Sequence, residues 1–149
     1  MPGLLPDTEL APVVRTDFSD DGAWTAFKAQ VVEGGAAFRG RHSAPSAAVD
    51  FLEDRSFEGL CPEALLAGVG DAFEHDYFFV FDAVASAGAG HPVLVVSTDP
   101  QTGVGPFRSD AVQVHAVDTT LAIGRAGYRD FAGAVGLDGV FHGFRHLVA

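Results

Sequence analysis

Apolar positions along the chain fall into short runs separated by polar and glycine-rich stretches, and the period of each run predicts its structure. Val13-Val14-Arg15-Thr16-Asp17-Phe18 is short and rich in β-branched residues, with Pro12 at an entrance where a strand tolerates proline. It predicts a strand. Ser19-Asp20-Asp21 then opens a helix, with Ser19 set to cap free N–H groups and both aspartates facing the positive end of the dipole. Trp24, Phe27 and Val31 recur at helical spacing as one apolar face, and Gly34-Gly35 predicts the stop. Residues 36–46 read as a loop and Ala47 to Leu52 as a second strand. Pro62 occupies a first helical position ahead of Leu65, Leu66 and Val69, which predicts a short second helix closing near Gly70.

The central part is more strongly marked. Tyr77-Phe78-Phe79-Val80-Phe81 is continuously apolar, as a strand covered on both faces is, and Pro92-Val93-Leu94-Val95-Val96 repeats the signal. Pro100 to Gly105 is a loop. Val112, Val114 and Ala116 alternate with Gln113, His115 and Val117, a weak strand pattern that Thr119 to Ile123 extends. Tyr128 to Val135 reads as a helix ended by Gly136, Asp138-Gly139 as a turn, and Val140 to Phe144 as a last extended piece.

This order predicts an α/β (or α+β) fold. A βαβαβ start implies parallel strands with right-handed crossovers. The link from Asp82 to His91 is too short for another parallel crossover, so the fourth strand is expected antiparallel to the third. The expectation is one domain over residues 11–149, a mixed sheet of about five strands with helices packed on it, preceded by a flexible leader over 1–10. Trp24, Phe27, Val31, Leu65, Leu66, Phe78, Val80, Val93, Val95 and Phe131 are the expected core.

Composition narrows the function classes. With 149 residues the chain is long enough to bury a sizeable core without staples. Its 20 acidic and 9 basic residues leave a formal charge of −11, which argues against nucleic-acid backbones and anionic membranes as partners. Met1 to Leu10 lacks the charge and apolar run of a secretory signal, and no stretch is long and apolar enough to span a bilayer. One cysteine, Cys61, excludes an intrachain disulfide and fits a reducing compartment; the expected location is cytoplasmic.

Several residues are candidates for chemistry, each with a simpler reading beside it. Asp17 and Asp82 end the first and third strands, so a parallel sheet would put both carboxylates at one edge, able to hold Mg²⁺ or share a proton. The simpler reading is that Asp17, Asp20 and Asp21 cap a helix and Asp82 begins a turn. A receiver-like site would need a lysine late in the sheet, and the only one, Lys28, is on the first helix. His75 beside Asp76 suggests an imidazole–carboxylate pair, although strand neighbours point to opposite faces. His115 faces either a pocket or solvent. His142 and His146 have helical metal-ligand spacing but sit in extended sequence without a third ligand, and no metal or other cofactor is expected. Cys61 precedes a helix start, where a thiol can be activated, but no base accompanies it. Arg15, in mid-strand, must be edge-exposed or paired with Asp17 or Asp50; it is a candidate anion or ligand contact, as are Trp24 and Tyr77.

Val13 to Asp21 with Trp24, then Gly59-Leu60-x-Pro62-Glu63-x-Leu65-Leu66, Pro92 to Val96, and Asp138-Gly139-Val140-Phe141-x-Gly143-Phe144 together resemble an uncharacterised actinobacterial domain family of unknown function. The likeness spans roughly residues 10–144, and its first and last motifs are the specific ones. The resemblance implies no activity, so it assigns no catalytic residue. Family members have an Asn-rich segment before the last helix where this chain has Thr119 to Ile123. Two functions remain. One is a non-catalytic module that binds a basic protein surface through its acidic one. The other is a small tailoring enzyme or ligand-binding protein of secondary metabolism, whose small-molecule pocket is lined by the surplus phenylalanines, 13 of them, with Asp and His at the rim. Either is compatible with a homodimer formed through an edge strand.

Overall fold

The strongest apolar run lies at the middle of the sheet. In the computed structural model, which describes residues 5–6, 8–39, 49–69, 73, 75–99, 105–122, 128–136 and 139–142, six strands assemble in the order β2-β1-β3-β4-β5-β6. They are β1 (Pro12–Arg15), β2 (Asp50–Leu52), β3 (Tyr77–Phe81), β4 (Val93–Ser97), β5 (Phe107–Ser109) and β6 (Val140–Phe141). The helices are α1 (Asp21–Arg39), α2 (Pro62–Ala67), α3 (Ala83–Ala87), α4 (Val114–Ala122) and α5 (Tyr128–Ala132), with 3-10 turns at Arg55–Phe57 and Ala111–Gln113. The chain is a mixed α/β single domain.

Strand directions follow link lengths. β1 is parallel to both β2 and β3, as βαβαβ requires, while β4 is antiparallel to β3 and to β5. β6 returns parallel to β5. All five residues of β3 are buried, and its alternate side chains feed two cores. Tyr77, Phe79 and Phe81 join Trp24, Phe27, Val114, Val117 and Phe131 under α1, α4 and α5. Phe78 and Val80 join Leu5, Phe57, Leu65 and Phe73 on the α2 side. Each buried phenylalanine contributes about 1.5–3 kcal/mol relative to exposure. Leu5 is buried, and its N–H bonds the Gly68 carbonyl at 3.2 Å, tying the segment before β1 to the end of α2. Among the described residues no helix is long and apolar enough to cross a membrane.

Four expectations are corrected. The first helix does not stop at Gly34-Gly35 but runs to Arg39. Gly34 serves close approach instead: a Cβ there would lie 1.9 Å from the Val112 carbonyl oxygen. The alternating stretch from Val112 is not a strand; it forms the 3-10 turn and α4. Ala111, Val114 and Val117, three apart, are its buried apolar positions, and Val112 is exposed. The sheet has six strands, the extra one being β5, whose three residues, Phe107 to Ser109, are too few to show a period. Leu66 is exposed, because α2 is a single short helix that buries only Leu65 fully. The other nine core residues are buried. Ile123, Asp138, Gly143 and Phe144 lie outside the described residues.

Candidate functional site

In a doubly wound sheet, ligands collect at the carboxyl ends of strands where the winding reverses. Here β1 sends its chain through α1 to β2 on one side, and β3 lies on its other side, so the reversal falls between β1 and β3. That crevice is closed by the chain itself. The Phe81 carbonyl accepts from the N–H groups of Thr16 (3.0 Å) and Asp17 (3.3 Å), extending the pairing beyond the strand ends. Gly59 N–H donates to the Thr16 carbonyl at 2.9 Å and draws the loop after β2 over the same edge.

Arg15 ends β1 here, 1% exposed. Its Nε donates to the Asp17 carbonyl at 2.9 Å, Nη2 to Asp21 Oδ1 at 2.8 Å, and Nη1 to Glu53 Oε2 at 3.1 Å. The guanidinium also lies 4.5 Å from the Phe18 ring centre and 5.3 Å from that of Trp24. Trp24 Nε1 donates to the other Glu53 oxygen at 2.9 Å, and Lys28 Nζ approaches that oxygen at 4.0 Å. Phe18 in addition meets the Arg55 guanidinium at 4.7 Å. Thus Arg15 and Trp24, both candidates from the sequence, are brought together by Glu53, which was not one. Arg15 pairs with Asp21 and Glu53 rather than with the carboxylate of Asp17 or Asp50. The register explains Glu53: Val14 lies opposite Leu52, so the next residue of each chain, Arg15 and Glu53, meet.

The two strand-end aspartates do not form a metal pair. Asp82 Oδ1 and Oδ2 accept from Arg108 Nη1 and Nη2 at 3.0 and 2.8 Å, and Oδ1 also caps α3 by accepting from Ala85 N–H at 3.1 Å. Burial acts to raise the Asp82 pKa, but the bonds from Arg108 and Ala85 outweigh it and hold the carboxyl below the usual range. Asp17 accepts from Ser19 Oγ at 2.9 Å. The cap of α1 is Asp20, accepting from Ala23 N–H at 3.0 Å, rather than Ser19. Among the described residues, no group of three or more His, Cys, Asp or Glu side chains is placed to hold a metal ion.

The remaining candidates are elsewhere. His75 and Tyr77 lie at the opposite edge, where β3 begins. His75 Nε2 donates to the Thr8 carbonyl at 2.7 Å, and the Tyr77 phenol reaches Asp118 on α4. His115 is buried on α4. Cys61 is exposed at the N-cap position of α2. His142 meets the Asp110 carboxylate, and His146 lies outside the described residues. Glu53 could have been found by aligning the first two strands in parallel register. Arg108 could not, since its strand left no pattern, and Asp118 sits on a helix that alternation disguised.

Electrostatically the β1–β2 end of this edge is acidic. Asp17, Asp20, Asp21, Glu53, Asp54 and Glu58 are gathered there against Arg15, Lys28 and Arg55. Arg15 is shielded, whereas the Asp21 and Glu53 side chains keep 84% and 49% exposure. Arg55 and Lys28 are also open to solvent, at 68% and 36%, so what the edge offers is an excess of carboxylate over cation.

A family model described as a domain of unknown function (DUF6924) matches residues 10–144. No curated protein matches the chain closely enough to lend it an activity.

Proposed function

We propose, from the premise that the chain belongs to this domain family of unknown function, that it is a non-catalytic interaction module whose acidic sheet edge docks on a basic protein surface. The observation that carries this reading is the condition of the switch-point crevice. Its arginine is buried and hydrogen-bonded to the chain's own Asp21, Glu53 and Asp17 carbonyl, and the carboxylates turned outward outnumber the exposed Arg55 and part-exposed Lys28. An edge so arranged attracts cations and is rigid before contact, which favours rapid association with a complementary surface. A single thiol, Cys61, fits a cytoplasmic setting.

The alternative, a small tailoring enzyme or ligand-binding protein, would need its pocket among the phenylalanines. Those rings pack on one another: Phe27 on Phe81 at 5.0 Å, Phe131 on Phe141 at 5.0 Å, and Phe107 on Phe131 at 6.0 Å between centres. Affinity capture from native extract, with mass spectrometry of proteins and small molecules together, separates the two. A retained basic protein released by salt supports the module, and a retained small molecule without a protein partner overturns it.

A further inference from the structure

The docking edge already holds a cation on an aromatic ring. Phe18 follows β1 and is half-buried. Two guanidiniums lie over its ring, Arg15 at 4.5 Å and Arg55 at 4.7 Å from the centre. They are held very differently. Arg15 is buried and bonded to Asp17, Asp21 and Glu53. Two carboxylates meet its charge, which leaves the ring able to attract a second cation. Arg55 is exposed, and it pairs with Glu58, three residues on, at 3.2 Å between two solvent-open side chains. Pairs of this kind hold weakly, and so does a cation over a ring at an exposed site.

We propose that the Phe18 ring and the Glu58 carboxylate form a guanidinium seat at the docking edge, that Arg55 fills it in the free chain, and that an arginine of the basic partner takes the place of Arg55. The proposal rests on the docking reading above and names the side chain that the edge receives. The seat is built before any partner arrives. Ser56 N–H donates to Asp54 Oδ1 at 2.9 Å and Glu58 N–H to the Arg55 carbonyl at 3.0 Å, which fixes the turn that carries Arg55 and Glu58. Gly59 N–H ties the end of that turn to the Thr16 carbonyl. Phe57, between the two charged residues, is buried with Val14, Leu65 and Phe78 and anchors the turn from below. What moves on exchange is therefore one exposed side chain. A guanidinium suits the seat better than an ammonium, because it stacks flat on a ring and offers forked donors to a carboxylate. The neighbouring Asp17, Asp20 and Asp54 draw a positive group toward it.

The probe is N-acetyl-arginine amide, titrated into the full chain and followed by the aromatic NMR signals of Phe18, with the lysine amide and the uncharged citrulline amide beside it. Arg55→Ala empties the seat. Arg129→Ala makes the same change in net charge on α5, whose Phe131 packs on Phe107 and Phe141 in the other half of the sheet. The arginine amide is expected to bind Arg55→Ala about threefold more tightly than the parent, as a seat filled by Arg55 about two-thirds of the time requires, and to bind Arg129→Ala as it binds the parent. Glu58→Gln and Phe18→Leu should weaken it. Equal tightening in the two alanine variants overturns the seat, as does an Arg55→Ala chain that shows no shift, or a citrulline or lysine amide that binds as well as the arginine amide. If Phe18→Leu does not fold, the comparison of Arg55→Ala with Arg129→Ala decides, since both change exposed side chains. Failure here leaves the acidic edge to be judged by its salt dependence, whereas a seat that passes while capture retains no basic protein overturns the docking reading alone.

Discussion

Replacing Gly34 by alanine sets two effects of opposite sign against each other. In the interior of a helix, Gly→Ala is stabilising by about 1 kcal/mol, and α1 runs through this position. Yet the added Cβ would lie 1.9, 2.6 and 2.7 Å from the O, C and Cα atoms of Val112. Carbon atoms rest about 3.5–4 Å apart, so α1 and the Ala111–Gln113 turn must separate by roughly 1–1.5 Å. The obstacle is backbone, and that backbone is tethered: Ala111 N–H donates to the Gly90 carbonyl at 3.0 Å and Asp110 N–H to the Phe141 carbonyl at 3.1 Å. Overpacking of this kind costs about 1–3 kcal/mol and occasionally more. Because the obstacle is tethered backbone, the cost falls in the upper part of that range, and after the helix gain a net destabilisation of about 1–2 kcal/mol is expected. Urea unfolding followed by the fluorescence of Trp24, the only tryptophan and 2% exposed, reads it directly. A variant as stable as the parent, or more stable, would refute the close approach of α1 to Val112.

Three further outcomes follow from the same geometry. Glu53→Ala removes the acceptor of Trp24 Nε1 and one partner of Arg15 and should cost about 1–2 kcal/mol; Glu53→Gln retains an amide oxygen for Trp24 and should cost less, and equal losses in urea unfolding would contradict the assigned bond. Because Asp82 is held below the usual carboxylate range, its contribution is present above the unfolded value and disappears as pH falls through the folded one; Arg108→Gln should flatten the acid limb of the stability profile, and an unchanged limb would refute the pairing. The Tyr128 hydroxyl donates toward the Val95 and Gly105 carbonyls at 2.9 and 3.0 Å, and burial pushes it up to about 12 against the opposing backbone groups of Ser97 and Phe107; with Tyr77 raised as well, ultraviolet titration of the native chain should show no tyrosinate near pH 10, where an unperturbed phenol is half ionised.

How much of this was legible follows the length of each signal. Tyr77 to Phe81 carries five apolar residues in a row, and it is the enclosed central strand. The antiparallel turn to β4 followed from the shortness of the link, because no crossover fits there. β5 was invisible because a three-residue strand has no period, and with it went Arg108 and the state of Asp82. α4 was misread because Val112, Val114 and Ala116 satisfy alternation while Val114 and Val117 satisfy a helical step; tertiary packing on α1 chose the helix. Gly34 carries two meanings that sequence does not separate, a helix stop and a place where another backbone passes close. At the docking edge, the need of a buried Arg15 for carboxylates was legible. Which carboxylates supply it depended on register, and the parallel pairing of β1 with β2 selected Glu53.

The central claim concerns the acidic edge, and its most direct test is kinetic. The rate at which a captured partner associates is measured across salt concentrations, for the parent chain and for Asp20→Asn/Asp54→Asn/Glu58→Gln, in which each side chain retains its acceptor oxygen. Complementary charge predicts a rate that drops steeply with added salt in the parent, and a slower, much less salt-dependent rate in the triple variant. Equal rates for the two proteins, or a parent rate indifferent to salt, would contradict the account.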